Sequence, residues 1–126
     1  MRINRLDHLV LTVTDLDRTV EFYTAVLGME VCTFGGGRTA LHFGSCKINL
    51  HEAGNEFEPK AQRPTPGSAD LCFVADDPLD DIAAELARAR VPVEEGPVTR
   101  AGAQGTLTSL YVRDPDHNLI EISNCT

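Results

Sequence analysis

Tryptophan is missing from this chain, and aromatic residues fill only 6% of its 126 positions. So little ring surface leaves little with which to stack a large planar ligand. An excess of cations is missing too: 11 Lys and Arg stand against 19 Asp and Glu, for a formal net charge of −8. With no basic surface to release counterions, nucleic acid is excluded as a general partner. No apolar run approaches the roughly 20 residues that span a bilayer. Asp7, His8 and Asp15 interrupt the N-terminal segment before a secretory core can form. No membrane partner is therefore expected, and a cytoplasmic location is. The four cysteines, Cys32, Cys46, Cys72 and Cys125, make neither a CxxC pair nor a zinc spacing. They read as reduced thiols, with Cys72, on an apolar strand, expected to be a small core residue.

What the chain does have is an order of elements that occurs twice. Leu6 to Val13 reads as a strand and Asp15 to Leu27 as an amphipathic helix; Asp70 to Ala75 and Pro78 to Arg90 repeat that order sixty-two residues on. Asp15 is a natural N-cap, Val20, Tyr23 or Phe22, and Leu27 form the buried stripe, and Gly28 suits the left-handed position that ends a helix. Strands at Met29–Phe34, Thr39–Phe43 and Lys47–His51 complete the first half. In the second, Leu79, Ile82 and Leu86 define the helix stripe, and Val91-Pro92-Val93 reads as a short strand that proline keeps at an edge. Gly96 to Gly105 reads as a mobile loop, and strands follow at Thr106–Arg113 and Asn118–Ser123.

These elements predict an α+β fold, two tandem β-α-β-β-β modules in one domain. The first module spans about residues 3–52, a connector about 53–68, and the second module about 69–126. Sixteen residues rich in Glu, Pro and Gly are generous for a mere linker, which points to contact with a ligand or a partner chain. A four-stranded sheet with one helix leaves one face bare. Pairing two such curved sheets predicts an open, barrel-like cup with helices outside.

Three segments carry a resemblance to a known group: "LDHLVLTV" around His8, "FYTAVLGMEV" from Phe22 to Val31, and "DPDHNLIEI" from Asp114 to Ile122. They resemble the vicinal oxygen chelate superfamily, which includes glyoxalase I, extradiol dioxygenases, and the fosfomycin and bleomycin resistance proteins. "NLHEAGNEFEPKA" and "PVEEGPVTRAGAQG" are similar to its glyoxalase domain-containing branch. The resemblance implies paired modules with the glyoxalase/bleomycin resistance fold, a homodimer, and a divalent metal in the cup. Its ligand positions fall on His8, Asn49, Asp70 and Glu121. Asn49 stands where glyoxalase I usually has a glutamate, and Asp70 where the superfamily more often has a histidine.

The repeat relates these positions without the family. His8 corresponds to Asp70, and Asn49 to Glu121, so an approximate two-fold relation predicts that all four gather at one point. One imidazole, two carboxylates and an amide oxygen form a hard donor set suited to Mn²⁺, Fe²⁺, Ni²⁺ or Mg²⁺, with Zn²⁺ reachable through His8. We expect His8, Asp70 and Glu121 as metal ligands, Glu121 also as the catalytic general base, and Asn49 and His51 as substrate-binding residues. Each has a plainer alternative. A strand histidine can be a hydrogen-bonded core residue, Glu121 a surface residue, Asp70 the solvated start of a strand, and His51 an exposed strand end. His42 is placed to point into the cup, His117 into solvent, and Arg100 and Lys60 to steer an anion or merely to be solvated.

The leading functional expectation is a metal-dependent, glyoxalase-like lyase or isomerase acting on a small oxygenated or electrophilic substrate. A dioxygenase or a thiol transferase would want a second histidine where Asp70 stands. The alternative is a metal-free protein that sequesters a ligand, as bleomycin resistance proteins do; the acidic charge suits cationic ligands.

Overall fold

Asp15 starts the first helix as its side chain dictates: the carboxylate accepts the N–H of Arg18 at 3.0 Å. In the computed structural model, which describes residues 1–126, that helix is α1, Leu16–Glu21. A turn of π pitch, Phe22–Val26, continues it. The widening has a local cause. Thr19 and Thr24 turn their hydroxyls back onto the carbonyls of Asp15 and Val20, at 2.9 and 2.7 Å, a geometry that bends helices. Tyr23 and Thr19, rather than Val20 and Leu27, are the fully buried members of the stripe. Gly28 then ends the helix with φ +72°, and the N–H groups of Gly28 and Met29 close on the carbonyls of Thr24 and Tyr23.

Around α1 run β1 (His8–Val13), β2 (Glu30–Phe34), β3 (Arg38–Phe43) and β4 (Cys46–Glu52), hydrogen-bonded in the order β1-β4-β3-β2 with β1 and β4 parallel. Leu11, Leu41, Ile48 and Leu50 form the buried face of this sheet. The second half repeats the pattern. β5 (Asp70–Val74), α2 (Leu79–Arg88), β6 (Glu95–Gly102), β7 (Gly105–Arg113) and β8 (Leu119–Cys125) make a sheet ordered β5-β8-β7-β6, with β5 and β8 parallel. Its buried face carries Leu110, Val112, Ile120 and Ile122, while Ile82 and Leu86 are the buried residues of α2. The fold is thus α+β with two β-α-β-β-β modules, and neither sheet closes on itself. By contacts the chain divides at Pro66–Gly67 into Met1–Pro66 and Gly67–Thr126. No helix is long and apolar enough to cross a membrane.

Two expectations need correction. The strand expected at Val91–Val93 lies later: β6 occupies Glu95–Gly102, most of the stretch expected to be a mobile loop. Pro97 is tolerated because β6 is an edge strand, and its pairing with β7 shifts register between Glu95 and Val98. Cys72 is exposed rather than a core residue, because β5 turns it to the sheet face opposite the buried one. Where α2 ends, Arg90 takes φ +59°, at the position sixty-two residues on from Gly28.

Candidate functional site

In the first unit, pairing puts His8, Val10 and Thr12 of β1 on one face with Lys47, Asn49 and His51 of β4. His8 is exposed, and its Nδ1 lies 2.8 Å from the Asp7 carboxylate. That hydrogen bond, with help from Arg5, holds the Asp7 carboxyl below its usual range. An Nδ1–H donated to Asp7 leaves Nε2 with the lone pair, the arrangement in which a carboxylate orients a metal-binding imidazole. Asn49 presents a buried side-chain oxygen with no hydrogen-bond partner, and such an orphan acceptor suits a cation or a donor group.

His51 is only 7% exposed. Its ring meets Phe57 edge-on at 5.6 Å, and the Arg38 guanidinium lies 4.5 Å over that same Phe57 ring. Burial first, then the charge of Arg38, pushes the His51 imidazole below its ordinary pKa. Phe57 belongs to the connector, so that segment folds back onto His51; within the segment Lys60 reaches Glu56 at 3.6 Å. His42, on the same sheet face as Lys47, is exposed.

In the second unit the corresponding face carries Asp70 and Cys72 of β5, Glu121 and Ser123 of β8, and Ser109 and Tyr111 of β7. One oxygen of Glu121 is gripped: Ser109 Oγ donates to Oε2 at 2.6 Å, and Ser123 Oγ lies 3.4 Å from the same atom. The two hydroxyls are 2.7 Å apart and both serines are fully buried. Tyr111, directly across from Glu121, accepts the Arg100 Nε–H at 2.9 Å. Burial raises the Tyr111 pKa, with Glu121 adding to the rise against the opposing pull of Arg100. Burial likewise pushes up the Cys72 thiol, and the Glu121 charge reinforces it against a hydrogen bond with Ser123. His117 is exposed in the β7–β8 turn, with φ +67°.

That turn positions Asp70. Asn118, 1% exposed, donates through its amide to Asp114 Oδ2 at 2.8 Å, and its Oδ1 accepts the Ala69 N–H at 2.8 Å. Asp114 Oδ1 takes the N–H groups of Asp116 and Asn118, both at 2.9 Å. The start of β5 is thereby clipped to the start of β8. A cavity of about 490 Å³ opens in this unit, with Cys72, Arg100, Leu107 and Glu121 among its lining.

The expected residues therefore fall into two matching pairs. His8 stands opposite Lys47, with Asn49 two residues along β4; Asp70 stands opposite Leu119, with Glu121 two residues along β8. No three His, Cys, Asp or Glu side chains of the chain gather into a metal-holding group. Ser109, Ser123 and Tyr111 were not singled out in the sequence, although polar residues spaced by two in the strands paired around Glu121 are a readable signal.

A family model described as Glyoxalase/Bleomycin resistance protein/Dioxygenase superfamily matches residues 5–122, and the chain belongs to that superfamily. It is 57% identical to Virulence protein STM3117 of Salmonella typhimurium over 98% of this chain and 85% of that protein. The crystal structure of STM3117 matches all of both chains with a TM-score of 0.98. Glyoxalase domain-containing protein RDO1 of Mycosarcoma maydis is 56% identical over 98% of this chain and 70% of its own length. At 21% identity, the fosfomycin resistance protein FosX of Listeria monocytogenes, whose crystal structure holds Mn(II), shares the fold alone. That match has a TM-score of 0.68 over 99% of this chain and 93% of that one.

Proposed function

We propose that the protein is a divalent-metal-dependent enzyme of the glyoxalase type, with lyase or isomerase chemistry on a small oxygenated or electrophilic substrate. One observation carries the reading: the repeated diagonal that sets His8 with Asn49, and Asp70 with Glu121, on equivalent parallel strand pairs. In this reading His8, Asp70 and Glu121 are the metal ligands, and Asn49 and His51 bind substrate. Ni, Mn, Fe, Mg or Zn held there would act as a Lewis acid toward vicinal substrate oxygens. The chain's own part is to orient and to move protons. Asp7 fixes the His8 ring, and Ser109 and Ser123 hold one oxygen of Glu121 so that its remaining lone pairs serve as ligand or base. Superfamily membership and the Mn(II) in FosX support this choice of chemistry. A homodimer, which the superfamily resemblance implies, is part of the proposal.

A second reading, a metal-free ligand-binding protein, draws on the 490 Å³ cavity, which needs no metal to exist. No aromatic ring lines it, which disfavours a large planar guest.

Metal analysis separates the two. The chain is stripped with chelator, reloaded with each divalent ion in turn, and assayed for isomerase activity on methylglyoxal with thiols. Stoichiometric metal that is lost in His8→Ala and Glu121→Ala is the expected result. A folded protein that takes up none of the five ions sinks the enzymatic reading.

A further inference from the structure

We infer that the cavity of the second unit is a subsite for the oxyanion end, carboxylate or phosphoryl, of a short substrate, and that Arg100 is its anchor. This deepens the functional reading above and rests on it for the role of Glu121. Arg100 is the one cation among the residues lining the cavity, in a chain whose net charge is −8. A lone guanidinium in such a protein is a local feature of the field, not part of a general basic surface.

The guanidinium is set in advance. Its Nε–H goes to the Tyr111 hydroxyl at 2.9 Å, Nη1 to the Thr99 carbonyl at 3.1 Å, and Nη2 to the Glu95 carboxylate at 2.7 Å. Arginine carries five N–H donors, so these three bonds hold the plane and leave two donors for a guest. The side chain is 41% exposed and therefore reachable. Because its rotamer is already held, little side-chain freedom is lost when an anion docks. Glu95 is 56% exposed, and an ion pair that open to water offsets only part of the guanidinium's attraction.

The rest of the lining sets the guest's length and its other end. Val74 and Leu107 give apolar wall, and Glu121 lines the same space. The β6–β7 hairpin closes tightly at its neck: a Cβ on Gly102 would come within 2.8 Å of the Gly105 carbonyl oxygen and 2.9 Å of Leu107. A ligand that satisfies both ends is short, carries an oxyanion for Arg100, and offers hydroxyl or carbonyl oxygens toward Glu121.

The test is a ¹H–¹⁵N NMR titration of the chelator-treated full chain, arginine Nε–H signals included, with inorganic phosphate, D-lactate and uncharged glycerol. Phosphate or lactate should shift the Arg100 Nε–H and the backbone amides of residues 102–107, and glycerol should not. Whichever anion binds more tightly names the group the subsite takes. Arg100→Gln should weaken that binding about ten- to a hundredfold, as expected for loss of a charge-assisted bidentate contact. Arg100→Lys, which keeps the charge and loses the fork, should fall between. Arg113→Gln is the matched control, since Arg113 is held by Glu94 in the same way, at 2.9 Å, outside the cavity; binding should not change. Shifts scattered over other cationic side chains and unaltered in Arg100→Gln, or no saturable binding of either anion, overturn the inference. The two proposals fail separately. Metal uptake without oxyanion binding removes this one alone, and oxyanion binding at Arg100 without metal uptake removes the enzymatic reading alone.

Discussion

Asn118 works in two directions at once, along its own turn to Asp114 and across to the backbone of Ala69. Its replacement removes the amide's bond to the Asp114 carboxylate and strands the Ala69 N–H, and an unmet buried polar group costs about 1–3 kcal/mol. Asn118→Ala should therefore lose about 2–4 kcal/mol of stability in urea denaturation, the upper part reflecting the charged partner. The "DPDHNLIEI" segment was recognisable in the sequence as a pattern. The reason for its asparagine was not, because the partner lies forty-nine positions away. His51 makes a different forecast. Its folded pKa lies below the ordinary value of 6.5, so near neutrality both folded and unfolded chains hold it uncharged. As pH falls through about 6.5, the unfolded chain takes up the proton first and stability declines until the lowered folded pKa is reached. Melting temperatures followed from about pH 7.5 down to 5 should show that decline, and His51→Gln should flatten it.

At the scale of elements, α1 could be read from its two ends, Asp15 and Gly28, because capping is a local matter. Its widened last turn could not, since that follows from where two threonine hydroxyls turn. Strand β6 misled for a physical reason: Gly96 and Pro97 look like breakers, yet an edge strand tolerates both at an irregular register. Gly96 is there for space as well as for its φ of +119°. A Cβ would come within 2.5 Å of the Ser109 carbonyl oxygen. Gly96→Ala should thus cost about 2 kcal/mol or more in thermal or urea denaturation. Since Ser109 holds Glu121, a metal titration of the same variant reports whether that strain reaches the site.

For the molecule as a whole, the duplication was the most legible feature, because it shows in polar residues placed alike in apolar strands. That is how His8 is matched with Asp70 and Asn49 with Glu121, and the strand registers carry the same correspondence. The hydroxyl grip on Glu121 and the folding back of Phe57 onto His51 were out of reach, since both depend on which side chains the sheets bring face to face. The halves also differ in comfort. Gly28 and Arg90 occupy the same left-handed bend behind their helices, at φ +72° and +59°, and only glycine takes that shape without steric penalty. The second half thus holds a backbone shape without the residue best fitted to it, a small and removable tension. Arg90→Gly should relieve it and raise the thermal midpoint slightly, by about 0.5–1 kcal/mol of stability, whereas Gly28→Arg should lower the midpoint by a similar amount; the chain would then record, in one pair of measurements, how far its two copies have drifted apart.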